Sequence, residues 1–320
     1  MKDKFGREIE YMRISITDRC NLRCTYCMPE EGIEKVDRSE ILREDEILRI
    51  CRIATGLGIK KFKITGGEPL VRTCCKGLVR KIKELPGCEQ VTMTTNGQLL
   101  AENLDELADA GIDGINISLD TLKEDRYRQI TRTGDIGRTL DAIDACIRRG
   151  IKTKINCLLQ RGVNDDEIAD LAEFALEKGI DIRFIELMPI GFADEDKCVG
   201  SDEVMDVLKR AYPDIEPDGS THGNGPAVYY RVPGRSGGIG LISSIHGRFC
   251  SGCNRIRLTS MGFVKPCLCY DDGIYLKPYL AGTDNELAEE LSKAVQNKPK
   301  QHCFENVSAV DHHAMAEIGG

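Results

Sequence analysis

The sequence predicts an α/β fold built on parallel strands. Short runs rich in β-branched residues alternate with longer amphipathic segments through about residue 212, giving six strand-helix units. Several amphipathic segments end near glycine, as helices commonly do. Parallel strands joined by helices need right-handed crossovers, so these units should share one sheet. Periodicity alone does not decide between a sheet curled into a partial barrel and an open, doubly wound sheet.

The individual elements follow from the same pattern. Strands are predicted at residues 11–17, 61–65, 90–94, 114–119, 153–159 and 182–187. Helices are predicted between them, including residues 44–56, 99–110, 139–149 and 166–177. Parallel α/β proteins carry their functional loops at the carboxyl ends of the strands, so residues that follow these strands are the first candidates for a site.

The pattern changes after about Pro213. Glycine and proline are dense between residues 218 and 240, and short hairpin-like stretches follow near residues 228–231, 240–243 and 255–267. A last amphipathic helix is predicted over residues 285–296. We therefore predict two regions, a core over residues 1–225 and a C-terminal region over residues 226–320 that packs on it.

Composition excludes several classes of protein. Charged residues make up 30% of the chain and apolar residues 41%, which is ordinary for a globular protein and not for a disordered or fibrous one. A net charge of -8 argues against a general binder of nucleic acid or anionic membranes, although a local basic pocket could bind a small anion. No apolar run reaches the ~18 to 20 residues that span a bilayer, and the first residues lack the apolar region of a signal peptide, so we expect a cytoplasmic protein.

Cysteine is the unusual feature, with 15 residues. Structural disulfides are rare in a reducing compartment. Nine of the cysteines have no ligand-like spacing, and we interpret them as small buried or half-buried side chains; they are Cys51, Cys74, Cys75, Cys88, Cys146, Cys157, Cys198, Cys269 and Cys303. The other six fall into two groups.

The first group is Cys20, Cys24 and Cys27, which comes directly after the first predicted strand. Three thiolates at this spacing can hold three corners of a [4Fe-4S] cluster. Because such a cluster normally has four cysteine ligands, a site with three leaves one iron open to a substrate or cofactor. A zinc site is the alternative interpretation.

The second group is Cys250, Cys253 and, after thirteen intervening residues, Cys267. His246 lies close by in the sequence. On these residues alone, a zinc site with a histidine as its fourth ligand is as good an interpretation as a second open cluster.

The first group and its surroundings resemble the radical S-adenosylmethionine superfamily. The CxxxCxxC spacing is matched in full, and Gly66-Gly67-Glu68-Pro69 is similar to the superfamily's GGEP segment. The resemblance implies a partial (β/α)6 TIM-type barrel with a smaller C-terminal cluster-binding appendage. It also implies that the first cluster binds S-adenosylmethionine and splits it to a 5'-deoxyadenosyl radical, with Glu68 available to the methionine amine. The implied S-adenosylmethionine contacts are Tyr26, Gly67, Ser118 and Met188.

Further segments resemble one family of that superfamily, the GTP 3',8-cyclases. They are residues 249–259, the hairpin over 262–268, the opening Phe5-Gly6-Arg7 and the stretch 315–320. The resemblance implies a second [4Fe-4S] cluster whose open iron meets the guanine of GTP. Hydrogen is then removed from C3' of the ribose, and the carbon radical attacks C8 of the purine. The implied product is (8S)-3',8-cyclo-7,8-dihydroguanosine 5'-triphosphate. Its formation is the first step of molybdenum cofactor biosynthesis.

The same resemblance assigns the remaining site residues. It places cluster ligands on the six cysteines of the two groups, and catalytic roles on Arg255, Arg257, Gly319 and Gly320. The implied GTP contacts are Arg13, Lys63, Thr94, Lys154, Arg255, Ile256 and Arg257. Several cations are what a triphosphate needs in an otherwise acidic protein.

Three departures from the family's usual residues are visible. Lys63 stands where arginine is typical, which replaces a bidentate fork by a point charge. The segment Thr73-Cys74-Cys75 and Met261 also differ from the family pattern. None of these positions is a cluster ligand.

The implied partners are GTP, a reducing electron donor protein and, downstream, cyclic pyranopterin monophosphate synthase. No nucleic acid or membrane is expected, and a homodimer is one option for the assembly. Two other functions stay open at this point. One is a radical S-adenosylmethionine enzyme that modifies a peptide, and the other is a non-catalytic zinc-binding or redox-sensing protein.

Overall fold

Twelve strands form one sheet in the computed structural model, which describes residues 1–34, 36–247, 249–304, 310–311 and 313–319. The strands are β1 (Tyr11–Ser15), β2 (Lys61–Thr65), β3 (Gln90–Thr95), β4 (Gly114–Ser118), β5 (Thr153–Leu158), β6 (Asp181–Ile185), β7 (Glu216–Pro217), β8 (Val228–Arg231), β9 (Ile239–Ile242), β10 (Arg255–Leu258), β11 (Phe263–Lys265) and β12 (Ile274–Tyr275). The six predicted core strands are confirmed to within two residues. β1 to β6 pair in parallel and in chain order.

The helices of the described residues cover the outer face of this sheet, except for the short last one. They are α1 (Glu44–Gly56), α2 (Cys75–Lys83), α3 (Leu100–Asp109), α4 (Glu124–Thr131), α5 (Ile136–Arg148), α6 (Ile168–Glu177), α7 (Ser201–Ala211), α8 (Asp284–Gln296) and α9 (Met315–Ile318). The five predicted helices are confirmed with small shifts of their ends. At the start of α8, Thr283 and Glu286 form a reciprocal capping box, which fixes where that helix begins. No helix in the described part of the chain is long and apolar enough to cross a membrane.

Residues alternate between two environments along the core strands. In β1, Met12 and Ile14 are buried in the main apolar core between sheet and helices, whereas Tyr11 and Arg13 face a cavity on the other side. The same alternation with period two holds in β2 to β6. Because strands β1 to β6 all contribute to the cavity wall, the sheet is curled into a barrel, which decides the question that periodicity left open.

The C-terminal strands extend both edges of the six-stranded core. β10 pairs in parallel with β1, and β9 pairs in parallel with β6. The hairpins expected near residues 228–243 and 255–267 are confirmed, since β8 pairs antiparallel with β9 and β11 with β10. The C-terminal region therefore continues the barrel sheet at two places instead of forming a sheet of its own.

Arg7 ties the beginning of the chain to the loop that carries the second cysteine group. Its guanidinium pairs with Asp3 at 2.6 Å, and both side chains are almost fully buried. It also donates to the carbonyl oxygens of Cys250 at 2.9 Å, Pro299 at 2.6 Å and Lys300 at 3.1 Å. A guanidinium can satisfy these groups together because its donors spread in a fixed plane.

Replacing Arg7 with Ala should destabilise the protein and loosen the second cysteine loop. The change leaves the carboxylate of Asp3 buried without its partner, which costs about 3 kcal/mol in comparable cases. We expect a melting temperature lower by several degrees and a loss of iron from the second site, measured by calorimetry and iron analysis under anaerobic conditions. Arg43→Ala, which removes an exposed ion pair, is the matched control and should change the stability by less than about 1 kcal/mol. Equal melting temperatures for the two variants would contradict this role of Arg7.

Candidate active site

Both cysteine groups line a cavity of about 680 Å3 inside the barrel. The first group follows the carboxyl end of β1. The second group lies at the opposite end, because Cys253 precedes the amino end of β10, which runs parallel to β1, and Cys267 follows the antiparallel β11. A five-residue strand spans about 16 Å at its usual rise, so the two groups face each other across a gap of nucleotide size.

The first group is built to hold a metal cluster. Cys24 and Cys27 interact electrostatically with each other and with Cys20, and burial raises the pKa of Cys20 to about 11 and of Cys27 to about 12. Asn96 Nδ2 donates to the sulfur of Cys20 at 3.8 Å. Burial disfavours the charged form of these thiols, and bound iron would supply the positive charge that stabilises their thiolates.

The second group lies in a more positive environment. Burial opposes ionisation of Cys253, but the charges of Arg255 and Lys298 outweigh it and lower the pKa of that thiol to about 7. Lys298 is almost fully buried, and its ammonium donates to the carbonyl oxygens of Arg255 and Pro266 at 2.8 and 2.6 Å. The thiolate of Cys253 is thus stabilised by neighbouring positive charges, whereas burial raises the pKa of Cys267.

His246 does not serve the second group in the structure. Its Nδ1 atom bonds to the carboxylate of Glu186, and its side chain is 68% exposed and not part of the cavity wall. The zinc interpretation needed His246 as a fourth ligand. The arrangement therefore favours a three-cysteine site that is open toward the cavity.

The four residues expected to contact S-adenosylmethionine all line the cavity. They are Tyr26, Gly67, Ser118 and Met188. The hydroxyl of Tyr26 donates to Asp120 at 2.8 Å, and the other oxygen of that carboxylate accepts from Leu158 N. This fixes the ring of Tyr26 beside the first cysteine group.

The glycine pair after β2 meets the chain itself. A Cβ on Gly67 would lie 2.4 Å from the carbonyl oxygen of Arg19, and one on Gly66 would lie 2.6 Å from that of Thr17. Glu68 is used differently from our expectation: its buried carboxylate accepts from Leu70 N and Thr95 Oγ1 on one oxygen and from Asn96 N on the other. It joins the ends of two strands and does not line the cavity.

A row of buried cations crosses the inside of the barrel, and we call Arg257, Arg13 and Lys63 the cation row. These residues are direct register partners on the neighbouring strands β10, β1 and β2. Burial, together with the charges of Arg183 and Arg13, lowers the pKa of Lys63 well below its usual value. Burial and the neighbouring Arg13 and Arg255 do the same for the pKa of Arg257. Like charges so placed favour the binding of an anion, because an anion offsets the free-energy cost of burying positive charge.

Arg183 is a functional candidate that the sequence analysis did not assign. It lines the cavity from β6, and its Nε and Nη2 atoms are buried without a hydrogen-bond partner in the described residues. The hydroxyl of Thr94 and the amide oxygen of Asn156 are likewise buried without a hydrogen-bond partner in the described residues. The sequence did contain a signal for Arg183, because this residue interrupts an apolar strand at an inward position, as Arg13 and Lys63 do.

The remaining predicted GTP contacts differ in placement. Lys154 lines the cavity, but its ammonium is paired with Asp181 and also donates to Tyr229 OH at 3.1 Å. Burial, partly offset by Asp181, lowers the pKa of Lys154 to about 8. The side chain of Ile256 is fully buried in the apolar core, so any contact it makes in the cavity would be through its backbone.

The chain returns to the site after α9. Arg257 Nη1 donates to the carbonyl oxygen of Gly319 at 2.8 Å, and Met315 and Ala316 line the cavity. Gly319 ends the helix in the left-handed region at φ 74°, and a Cβ there would lie 2.8 Å from that of Ser15. Gly320, to which a catalytic role was also assigned, lies outside the described residues.

Comparison with known proteins gives first the class and then the family. Residues 14–175 match the Radical SAM superfamily and residues 180–304 match Molybdenum Cofactor Synthesis C. With its barrel and three-cysteine groups, the chain is therefore a radical S-adenosylmethionine enzyme. It is 46% identical to the GTP 3',8-cyclase of Moorella thermoacetica and 43% identical to that of Clostridium perfringens strain 13, in each case over 100% of both chains. The chain belongs to the GTP 3',8-cyclase family.

Solved structures agree on the fold. Streptococcus suis SuiB bound to precursor peptide SuiA has a TM-score of 0.67 and 16% identity, with 98% of this chain and 76% of that one covered. SuiB bound to S-adenosylmethionine has a TM-score of 0.65 over 97% and 75% of the two chains. At such low identity the likeness extends to the radical S-adenosylmethionine barrel alone, and the peptide bound in the first of these structures carries no information on the substrate of this chain.

Proposed function

We propose that this chain binds GTP in the barrel, between its two cysteine groups. The reaction is the conversion of GTP to (8S)-3',8-cyclo-7,8-dihydroguanosine 5'-triphosphate, the first step of molybdenum cofactor biosynthesis, with two [4Fe-4S] clusters and S-adenosylmethionine. The observation that carries the proposal is the cation row, because a cavity that holds buried arginine and lysine side chains between two cysteine groups suits a large anion.

The residues at the carboxyl end of the barrel would hold the radical-generating part. Cys20, Cys24 and Cys27 would bind the first cluster, which when reduced supplies the electron that splits S-adenosylmethionine to the hydrogen-abstracting radical. Tyr26, Gly67, Ser118 and Met188 would position the cofactor, with the Tyr26 ring held by Asp120. Since these residues line the inside of a barrel, they also keep the reacting groups away from bulk water.

The residues at the other end would hold the nucleotide. Cys250, Cys253 and Cys267 would bind the second cluster and leave one position for the guanine. The cation row, with Arg255 and Arg183, would compensate the triphosphate, and Thr94 offers a buried hydroxyl that lacks a partner in the described residues. Lys154 would contribute only after its pairing with Asp181 changes.

The localisation, the partner proteins, the assembly and the division into two regions are also proposals. We propose that the enzyme acts in the cytoplasm, that a reducing donor protein supplies the electrons, and that cyclic pyranopterin monophosphate synthase takes the product. A homodimer stays one option, which sedimentation can test. The division into a core over residues 1–225 and a C-terminal region over residues 226–320 is likewise retained as a proposal.

Anaerobic turnover tests the function directly. Reconstituted protein, reductant, S-adenosylmethionine and GTP should give 5'-deoxyadenosine together with a nucleotide of the same mass as GTP but a different retention time. ATP serves as the control, because it carries the same triphosphate on a different base. Cleavage of S-adenosylmethionine that does not depend on GTP, with GTP recovered unchanged, would contradict the proposal.

The two cysteine groups should be separable by mutation. Cys24→Ala should abolish cleavage of S-adenosylmethionine, because the radical cannot form without the first cluster. Cys253→Ala should leave some cleavage but no cyclised nucleotide, because the guanine loses its binding position. Each variant should retain about half the iron, on the order of four atoms per chain. If both variants lost cleavage to the same degree while retaining that iron, the proposed separate roles of the two cysteine groups would be wrong.

The glycine end of the chain should matter for turnover more than for folding. In Gly319→Ala a Cβ would clash with Ser15 and the left-handed backbone would be strained, so Arg257 would lose its contact with the carbonyl of residue 319. We expect cyclisation to fall by orders of magnitude, as for deletion of Gly319-Gly320, with iron content, S-adenosylmethionine binding and melting temperature nearly unchanged. Gly56→Ala, at an exposed helix end with open space around it, is the control. A Gly319→Ala enzyme with the parental rate would show that this segment is merely a frayed end.

A further inference from the structure

Cys269 and Cys303 lie in contact, although nothing in their spacing along the chain connects them. Their sulfur atoms are 3.6 Å apart, and the backbone N–H of Cys303 donates to the sulfur of Cys269 at 3.3 Å. Among the described residues, no other two cysteine side chains are within hydrogen-bonding distance of each other. Neither residue belongs to the two cluster groups.

One further hydrogen bond joins the two segments, and two others fix the segment of Cys269 to the rest of the chain. The hydroxyl of Tyr270 donates to the carbonyl oxygen of Gln301 at 3.1 Å, and Asp311 N donates to that of Cys269 at 2.8 Å. Lys265 Nζ donates to the carbonyl oxygen of Tyr270 at 2.7 Å. The sulfurs thus lie side by side, about 1.5 Å beyond the usual S–S bond length.

The two thiols differ in accessibility. Cys269 is fully buried, in a small apolar cluster that also contains Phe304, Val310 and Ile318, whereas Cys303 is half-buried at its edge. A reagent from solution can therefore reach Cys303 before it reaches Cys269. Such an arrangement suits a two-step thiol-disulfide exchange, in which the accessible thiol reacts first and the buried thiol resolves the intermediate.

We propose that Cys269 and Cys303 form a redox-active dithiol that low-molecular-weight disulfides oxidise. Cys303 attacks a disulfide RSSR, which gives a Cys303–SR mixed disulfide and releases one RSH. Cys269 then attacks the Cys303 sulfur, which forms the Cys269–Cys303 bond and releases the second RSH. Two thiols of the protein are oxidised and one RSSR is reduced to two RSH.

The bond would join two parts of the active site. Cys269 comes two residues after Cys267 of the second cysteine group, and Cys303 precedes the segment that leads to α9 and Gly319. Oxidation would therefore tether the segment that reaches Arg257 to the second cysteine loop. The six cluster cysteines take no part in the bond, so the clusters should survive it.

Peptide mapping tests the proposal on the complete holoenzyme. The protein is treated anaerobically with oxidised glutathione, alkylated, digested without reductant and analysed by mass spectrometry, with iron measured before and after. We expect a cross-linked pair of peptides containing Cys269 and Cys303 that lacks two hydrogens, disappears with dithiothreitol and forms without loss of iron. The oxidised protein should also melt several degrees higher.

Three variants give the expected order of attack. Cys269→Ser should accumulate a glutathione adduct on Cys303, because the resolving thiol is missing. Cys303→Ser should give no adduct on Cys269, which glutathione cannot reach. Cys198→Ser, which changes another half-buried cysteine, should form the cross-link like the parent. The parental protein alone can overturn the proposal. It would do so if its reaction stopped at the Cys303 adduct, or if either residue became linked to Cys267.

Discussion

Like charges on neighbouring strands are the constraint on which the rest of this structure depends. Arg257, Arg13 and Lys63 are register partners on three adjacent strands, where backbones lie only about 4.8 Å apart. Their side chains point into the barrel, which in most barrels is filled with apolar residues. An anion in the cavity would offset the free-energy cost of burying these charges. The triphosphate of GTP is such an anion.

The edges of the barrel explain why two distant cysteine groups share one cavity. β10 pairs with β1, so the chain segments that carry Cys20 and Cys253 belong to neighbouring strands although more than two hundred residues separate them. Since the strands are parallel, one group lies at each end. Arg7 then fastens the second loop to the start of the chain through the carbonyl of Cys250. The two cysteine groups are separated by about the length of a strand.

Local sequence patterns predicted much of this. The core strands, the main helices and the two cysteine groups that line the cavity were all visible, because period-two alternation and cysteine spacing are local signals. The parallel pairing of β9 and β10 with the barrel edges was not predicted, because a contact between residues so far apart in the chain produces no periodic pattern in the sequence. Glu68 was expected at the cofactor, but the structure uses its carboxylate to join strand ends. The contact between Cys269 and Cys303 was invisible for the same reason as the edge pairing.

The most direct test of this account is the fate of the hydrogen at C3' of GTP. With GTP deuterated at that carbon, the enzyme should produce 5'-deoxyadenosine that carries one deuterium, in an amount equal to the cyclised nucleotide. This result requires that the two cysteine groups hold cofactor and nucleotide in one cavity with the ribose facing the radical. Formation of unlabelled 5'-deoxyadenosine alongside cyclised product, with the deuterium of C3' released to the solvent, would contradict it.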